Sequence, residues 1–231
     1  ANAQKILTIE QWGNIEWTTF ASAFQGCSVL NITNPSIDAP DLTNVQILSE
    51  AFRDCTNFNG DITNWDVSGV TNMFGLFHDA ASFNQNIGGW TVSSVNNMSR
   101  LFEGASVFNQ DIRMWTVGNV NNMGVMFAEA AQFNQDISGW NVSGVTDMNT
   151  MFAFATSFNQ NIGGWTVGAV DNMNQMFLGA TAFNQDIGGW DVSQVEQMVV
   201  MFQGATSFNQ DLGGWNVENV TAANRSEEHT V

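Results

Sequence analysis

The chain holds no tyrosine, two cysteines, two prolines, two histidines and only five Lys plus Arg residues in 231. Two cysteines are too few for a disulfide framework. Five cations against 22 Asp plus Glu leave a net charge of -17. That field repels phosphate backbones and anionic lipid surfaces, so nucleic-acid binding and polybasic membrane binding are not expected. Cations, basic protein patches and neutral glycans remain as partners. No apolar run approaches the ~20 residues that cross a bilayer, so membrane insertion is not expected either. No charged-then-apolar leader is present, but the chain begins at Ala1, as a processed chain would, so that absence excludes nothing. His78 and His229 are the only histidines. A metal centre or a Ser/His/Asp site needs several unlike residues converging, and here like residues recur in rows. No catalytic residue, resident metal or cofactor is therefore assigned, and an enzyme is not expected.

What the chain does have is a repeat. Trp65, Trp90, Trp115, Trp140, Trp165, Trp190 and Trp215 recur every 25 residues without slippage. Phe58 through Phe208 and Phe52 through Phe202 keep the same period, and Met73, Met98, Met123, Met148, Met173 and Met198 form another column. Hydrophobic residues make up 44% of the chain, ample for one continuous core. A unit of this size cannot bury its apolar faces alone, so neighbours must stack with identical side chains meeting in rows.

Inside a unit the apolar spacing changes. Val70, Met73, Leu76, Phe77, Ala80 and Phe83 fall three and four apart, which predicts a short helix of two to three turns. The column at its start, Thr71, Asn96, Asn121, Thr146, Asp171, Glu196 and Thr221, has mostly N-cap chemistry. Upstream, Ile62-x-x-Trp65-x-Val67 predicts a strand a few residues long, with Gly88-Gly89 and its equivalents bending the chain before it. The expected fold class is an α/β repeat solenoid, a right-handed leucine-rich-repeat-like coil of 25-residue strand-turn-short-helix units. The expected divisions are an N-terminal cap over 1–23, a solenoid of about eight repeats over 24–220 and a polar tail over 221–231. The first repeat, 28 residues long, holds Pro35 and Pro40, with Pro40 where later units carry Trp. At the other end Ala223 replaces Met, and Arg225 to Val231 is polar.

The phrase FNQDIGGWDVSQVEQM (183–198), with MFLGATAFNQDI (176–187) and the opening LTIEQWGNIEWTTFASAFQGCSVLNI (7–32), closely resembles the BspA-like leucine-rich repeats, the bacterial surface protein 26-residue repeat group. The likeness runs from Ile6 to about Val220. It implies a leucine-rich-repeat-type solenoid in a secreted or surface-attached bacterial protein, with relatives in some protists. Adhesion and protein–protein binding are the roles it implies. The group has no common catalytic residues, so none carries over. Relatives often bear a surface anchor or sorting domain, which this chain does not show.

Several columns were weighed as sites. The Asn59 to Asn209 column is read as structural, its amides bonding to each other and to turn backbone. Two residues on, Asp61, Asn86, Asp111, Asp136, Asn161, Asp186 and Asp211 are read as backbone caps, with calcium as the rival, since one carboxylate per turn supplies few of the six to eight oxygens needed. The outward positions of the expected strand, Asp66, Thr91, Thr116, Asn141, Thr166, Asp191 and Asn216, with Ser68, Ser93, Ser143 and Ser193 beside them, form the candidate ligand-binding face. They are short polar side chains without aromatic anchors. The face is either an ordinary solvated surface or an avid site of modest affinity for an extended extracellular protein or glycan. Arg113, Met114 and Phe154 break the repeat and are the best local hint of a specific contact. Cys27 and Cys55 occupy equivalent slots in adjacent units, as buried thiols or as a bridge, the bridge gaining weight in an oxidising compartment.

The expected function is a non-catalytic, extracellular or cell-surface adhesion or protein-binding module. The alternatives are a rigid spacer of a larger surface protein and, less favoured, a glycan- or ice-binding solenoid, whose Thr row Asp66, Asn141 and Asp191 interrupt. All of these require the Trp column to be interior. Trp140→Ala in a middle unit is expected to cost about 3–5 kcal/mol in chemical denaturation, through the cavity it leaves. A near-neutral result would place that indole outside the core.

Overall fold

A computed structural model describes residues 6–32 and 38–221. Pro35, Ala223 and the polar run from Arg225 to Val231, including His229, lie outside the described residues.

The 25-residue period is the period of a stack. Parallel bridges join Ile47 to Asn72, Asn72 to Asn97, Asn97 to Asn122, Asn122 to Asp147, Asp147 to Asn172 and Asn172 to Gln197. Each residue of this column sits on its counterpart one rung away. Among the described residues the only strands are β1 (Thr8–Ile9) and β2 (Asn31–Ile32), a parallel pair that starts the stack.

No helix occurs among the described residues, and this corrects the expected α/β class. The run from Met73 to Ala80 is a chain of overlapping turns. The N–H of Leu76 bonds to the carbonyl of Met73, that of His78 to Gly75 and that of Ala80 to Phe77. The alternate N–H groups leave the rung altogether. Those of Met73, Gly75, Phe77 and Asp79 donate to the carbonyls of Asn97, Ser99, Leu101 and Glu103 on the next rung, at 2.8–3.0 Å. A helix would have sent the Phe77 N–H four residues back. Aiming every second N–H along the stack requires left-handed backbone twice per rung: Gly75 has φ 56° and Asp79 57°, and Arg100 with Gly104, Val125 with Glu129 and Thr150 with Phe154 repeat the pair. Positive φ at the third residue of a four-residue turn is the type II pattern.

Spacing explains why turns replace helices. Packed helices lie 8–10 Å apart, whereas hydrogen-bonded parallel chains lie about 4.8 Å apart. Rungs bridged at Asn72 and its equivalents cannot also hold helices side by side without splaying. The Phe52 to Phe202 rings repeat at 5.6–5.8 Å, well inside helix spacing.

The expected strand is also absent. Ile62 to Val70 makes two turns, with the Trp65 N–H on the Ile62 carbonyl and the Val70 N–H on the Val67 carbonyl. The strand-like contact lies further along, at the Asn72 column. The column read as N-caps is a ladder instead. The N–H of Thr71 bonds to the Gln46 carbonyl, Asn96 to Thr71, Asn121 to Asn96, and so on to Glu196 on Asp171.

The core is the interior of the stack. Phe77 lies 3.8 Å from Phe83 within one rung, and the Phe58 to Phe208 rings repeat at 5.9–6.1 Å between rungs. Each indole donates to the previous rung as well. Trp140 Nε1 bonds to the Ile112 carbonyl at 3.2 Å, and Trp90 through Trp215 repeat this at 3.1–3.2 Å. The indole is thus both filler and hydrogen-bond donor in the core. Trp12, Phe20 and Phe24 close the first rung against Trp65 and Phe52.

Left-handed backbone is costly for a β-branched residue. Val125 holds φ 64°. Val125→Asn keeps the bulk and tolerates that conformation, so it should stabilise the fold by on the order of 1 kcal/mol. On thermal denaturation the midpoint should rise by about 2–4 °C; an unchanged or lower midpoint would contradict the left-handed assignment.

Candidate binding face

The proposed face stands on turns. Asp66, Thr91, Thr116, Asn141, Thr166, Asp191 and Asn216 are all exposed, each following a core Trp by one residue. Ser68 and Ser143 are exposed, and Ser93 and Ser193 half-buried. Because the rungs are in register, the seven residues form one row along the stack. Four of the seven are fixed locally: Oδ1 of Asp66, Asn141, Asp191 and Asn216 accepts the backbone N–H two residues on, at 3.0–3.2 Å. These Asx turns shape the chain just beyond Trp.

The neighbouring columns do the same work. Oδ1 of Asp61, Asn86, Asp111, Asp136, Asn161, Asp186 and Asp211 each accepts the N–H two residues later, as in a backbone cap. The Asn59 column is a ladder between rungs. Its Oδ1 takes the backbone N–H of the Asn one rung on, at 2.9 Å at all six steps from Asn59 to Asn209. Gln110, Gln135 and Gln160 reinforce it by donating Nε2 to the Asn of the preceding rung. A third Asx column escaped the sequence reading: Asn72, Asn97, Asn122, Asp147 and Asn172 sit at the bridges and cap their own turns.

The three departures from the repeat do not converge on one another. Arg113 turns to Asp111, with Nη2 2.7 Å from Oδ2. Met114 points outward, 79% exposed. Phe154, 48% exposed at φ 57°, lies across Gly179 of the next rung, where any Cβ would collide with the ring. Cys27 and Cys55 are buried and unbridged. Burial, with Cys27 nearby, pushes the Cys55 thiol up to about 12, and its Sγ contacts the Phe24 carbonyl at 3.0 Å.

Sequence reasoning also missed an ionic cluster. His78 Nε2 lies 3.3 Å from Asp79 and 3.4 Å from Glu103, and Arg100 Nη1 is 2.7 Å from the same Glu103 oxygen. Arg53, His78 and Glu103 share one column, a signal present in the 25-residue spacing. Among the described residues no group of three or more His, Cys, Asp and Glu side chains could hold a metal ion, and no helix is long and apolar enough to cross a membrane.

Uniform rungs, axial backbone hydrogen bonds and rows of identical polar side chains define a stacked repeat protein built from turns. Residues 18–140 and 125–230 match the family described as "Mycoplasma protein of unknown function, DUF285", and the chain belongs to that family. No curated protein matches the chain.

The Asx turns make acid sensitivity a test of this surface. The hydroxyl and N–H of Ser68 hold Asp66 below the usual carboxylate range, and Ser138 and Ser193 do the same for Asp136 and Asp191. A carboxylate with a depressed folded pKa contributes stability that is present above the unfolded value and lost as pH falls through the folded one. Asp171 opposes this, being raised by burial and by Asp147 and Glu196. The triple variant Asp66→Asn, Asp136→Asn and Asp191→Asn keeps each acceptor, as Asn141 already does, but has no charge to lose. Its melting temperature should fall less than the native chain's between about pH 5 and pH 2.5. Identical acid profiles would contradict the carboxylate assignments.

Proposed function

We propose that the protein is a non-catalytic, extracellular or cell-surface binding module that engages an extended protein or glycan along the row Asp66, Thr91, Thr116, Asn141, Thr166, Asp191 and Asn216. The carrying observation is that this row is exposed on every rung and locked to the stack by Asx turns. A row of weak, identical contacts gains by avidity what each lacks in affinity, and a preset backbone reduces the ordering cost of binding. The sequence resemblance to BspA-like surface proteins supports the adhesive role and the surface setting. The charge of -17 directs the choice of partner toward basic or neutral surfaces.

A spacer role is the second reading. It is favoured by the Asx turns themselves, which already use one oxygen of four residues in the row, and by the lack of aromatic anchors there. Binding separates the two. The native chain is screened against immobilised extracellular-matrix proteins and glycans, with and without calcium, beside the variant Thr116→Arg, Asn141→Arg and Thr166→Arg. The adhesive reading expects a retained target whose signal drops at least about tenfold in the variant while the melting curve is kept. No retained target, or equal binding by both proteins, would leave the spacer.

A further inference from the structure

The geometry points to head-to-tail association of this chain with further copies of itself, the last rung of one copy meeting the first rung of the next. The stack has direction. Every internal rung donates four alternate N–H groups forward and offers four alternate carbonyls backward. The two ends are therefore unlike and complementary. At the far end the N–H groups of Met198, Val200, Phe202 and Gly204 are the next donor row, and among the described residues they meet no acceptor. At the near end the carbonyls of Thr19, Ala21, Ala23 and Gln25 occupy the acceptor positions that Ile47, Ser49, Ala51 and Arg53 fill one rung later, and they too stand unused. Docking Met198 on Thr19, Val200 on Ala21, Phe202 on Ala23 and Gly204 on Gln25 repeats the register found at every internal rung.

The side chains agree with this continuation. Val217 is 39% exposed where its counterpart Val192 is 1%, and Phe202, Phe208 and Trp215 are only partly covered. At the near end Leu7 is 61% and Ile15 55% exposed. The residues after Thr221, Ala222 to Val231, carry neither the Met nor the Phe of the repeat, so they lack the side chains that would complete the far face. A row of unpaired backbone groups beside apolar side chains is the template on which chains add. The two faces are different patches of one surface, so the contact is heterologous and extends into a file of copies rather than closing as a symmetric dimer. The charge of -17 opposes close approach, so screening by salt should favour the association.

The test is sedimentation of the full chain over a range of protein and salt concentrations, beside two end-blocked variants. One is Leu7→Glu with Ile15→Glu. The other is Val200→Glu with Val217→Glu, Glu50 being the natural residue in the column of Val200. All four positions are exposed or half-buried, so each variant should melt as the native chain does. The native chain should at least double in mass from 25.3 kDa as concentration and salt rise. Either variant alone should remain monomeric, and an equimolar mixture should stop at a one-to-one dimer, since each partner keeps one open face. A native chain that stays monomeric throughout, a blocked variant that associates alone, or a mixture that fails to pair would each overturn the proposal.

Discussion

The structure depends on one constraint: every second backbone N–H between Met73 and Asp79, and in each equivalent stretch, must find its acceptor on the next rung. A buried N–H without a partner is costly, so this sets the backbone first and the side chains second. Two left-handed residues per rung turn the donors along the stack, and the overlapping turns use the remaining N–H groups within the rung. The result is a protein with almost no named secondary structure and dense backbone pairing.

Once the backbone repeats at this spacing, like side chains must lie on like. Offset aromatic contacts then run the length of the molecule, from Phe24 on Phe52 to Phe183 on Phe208. Polar residues solve the same problem differently. Stacked carboxylates would repel, and the Asp61 column meets this by engaging backbone N–H groups and by placing Asn at 86 and 161. The Asn59 column spans the gap between rungs with neutral amides. Function, in our reading, uses what this leaves over: the outward row after each Trp.

Much of this was legible in the residues. The Trp, Phe and Met columns declared a stacked core, the Asp61 column declared backbone caps, and the Asn59 column declared a ladder, because side-chain identity at a fixed period reports directly on what neighbours what. The helix was misread because Val70, Met73, Leu76, Phe77 and Ala80 have the same spacing in overlapping turns as on a helical face. Gly104, Gly179 and Gly204 in mid-segment were the contrary signal. It was muted by Glu129 and Phe154, which adopt the same left-handed backbone without advertising it. The strand was misplaced because Ile62, Trp65 and Val67 are inward-facing at turns, whereas the bridging residues, Asn72 and its kin, are polar and look like loop. For the binding face, spacing predicted exposure of the row but carried no information on what would dock there.

The central claim is the destination of the alternate N–H groups, and scalar coupling across hydrogen bonds measures it directly. In the deuterated, isotope-labelled protein the Val125 amide should couple to the carbonyl of Asn149, and Phe127 to that of Met151, 24 residues on. Couplings from those amides to carbonyls four residues back, Asn121 and Met123, would restore a helix to each repeat and contradict the account.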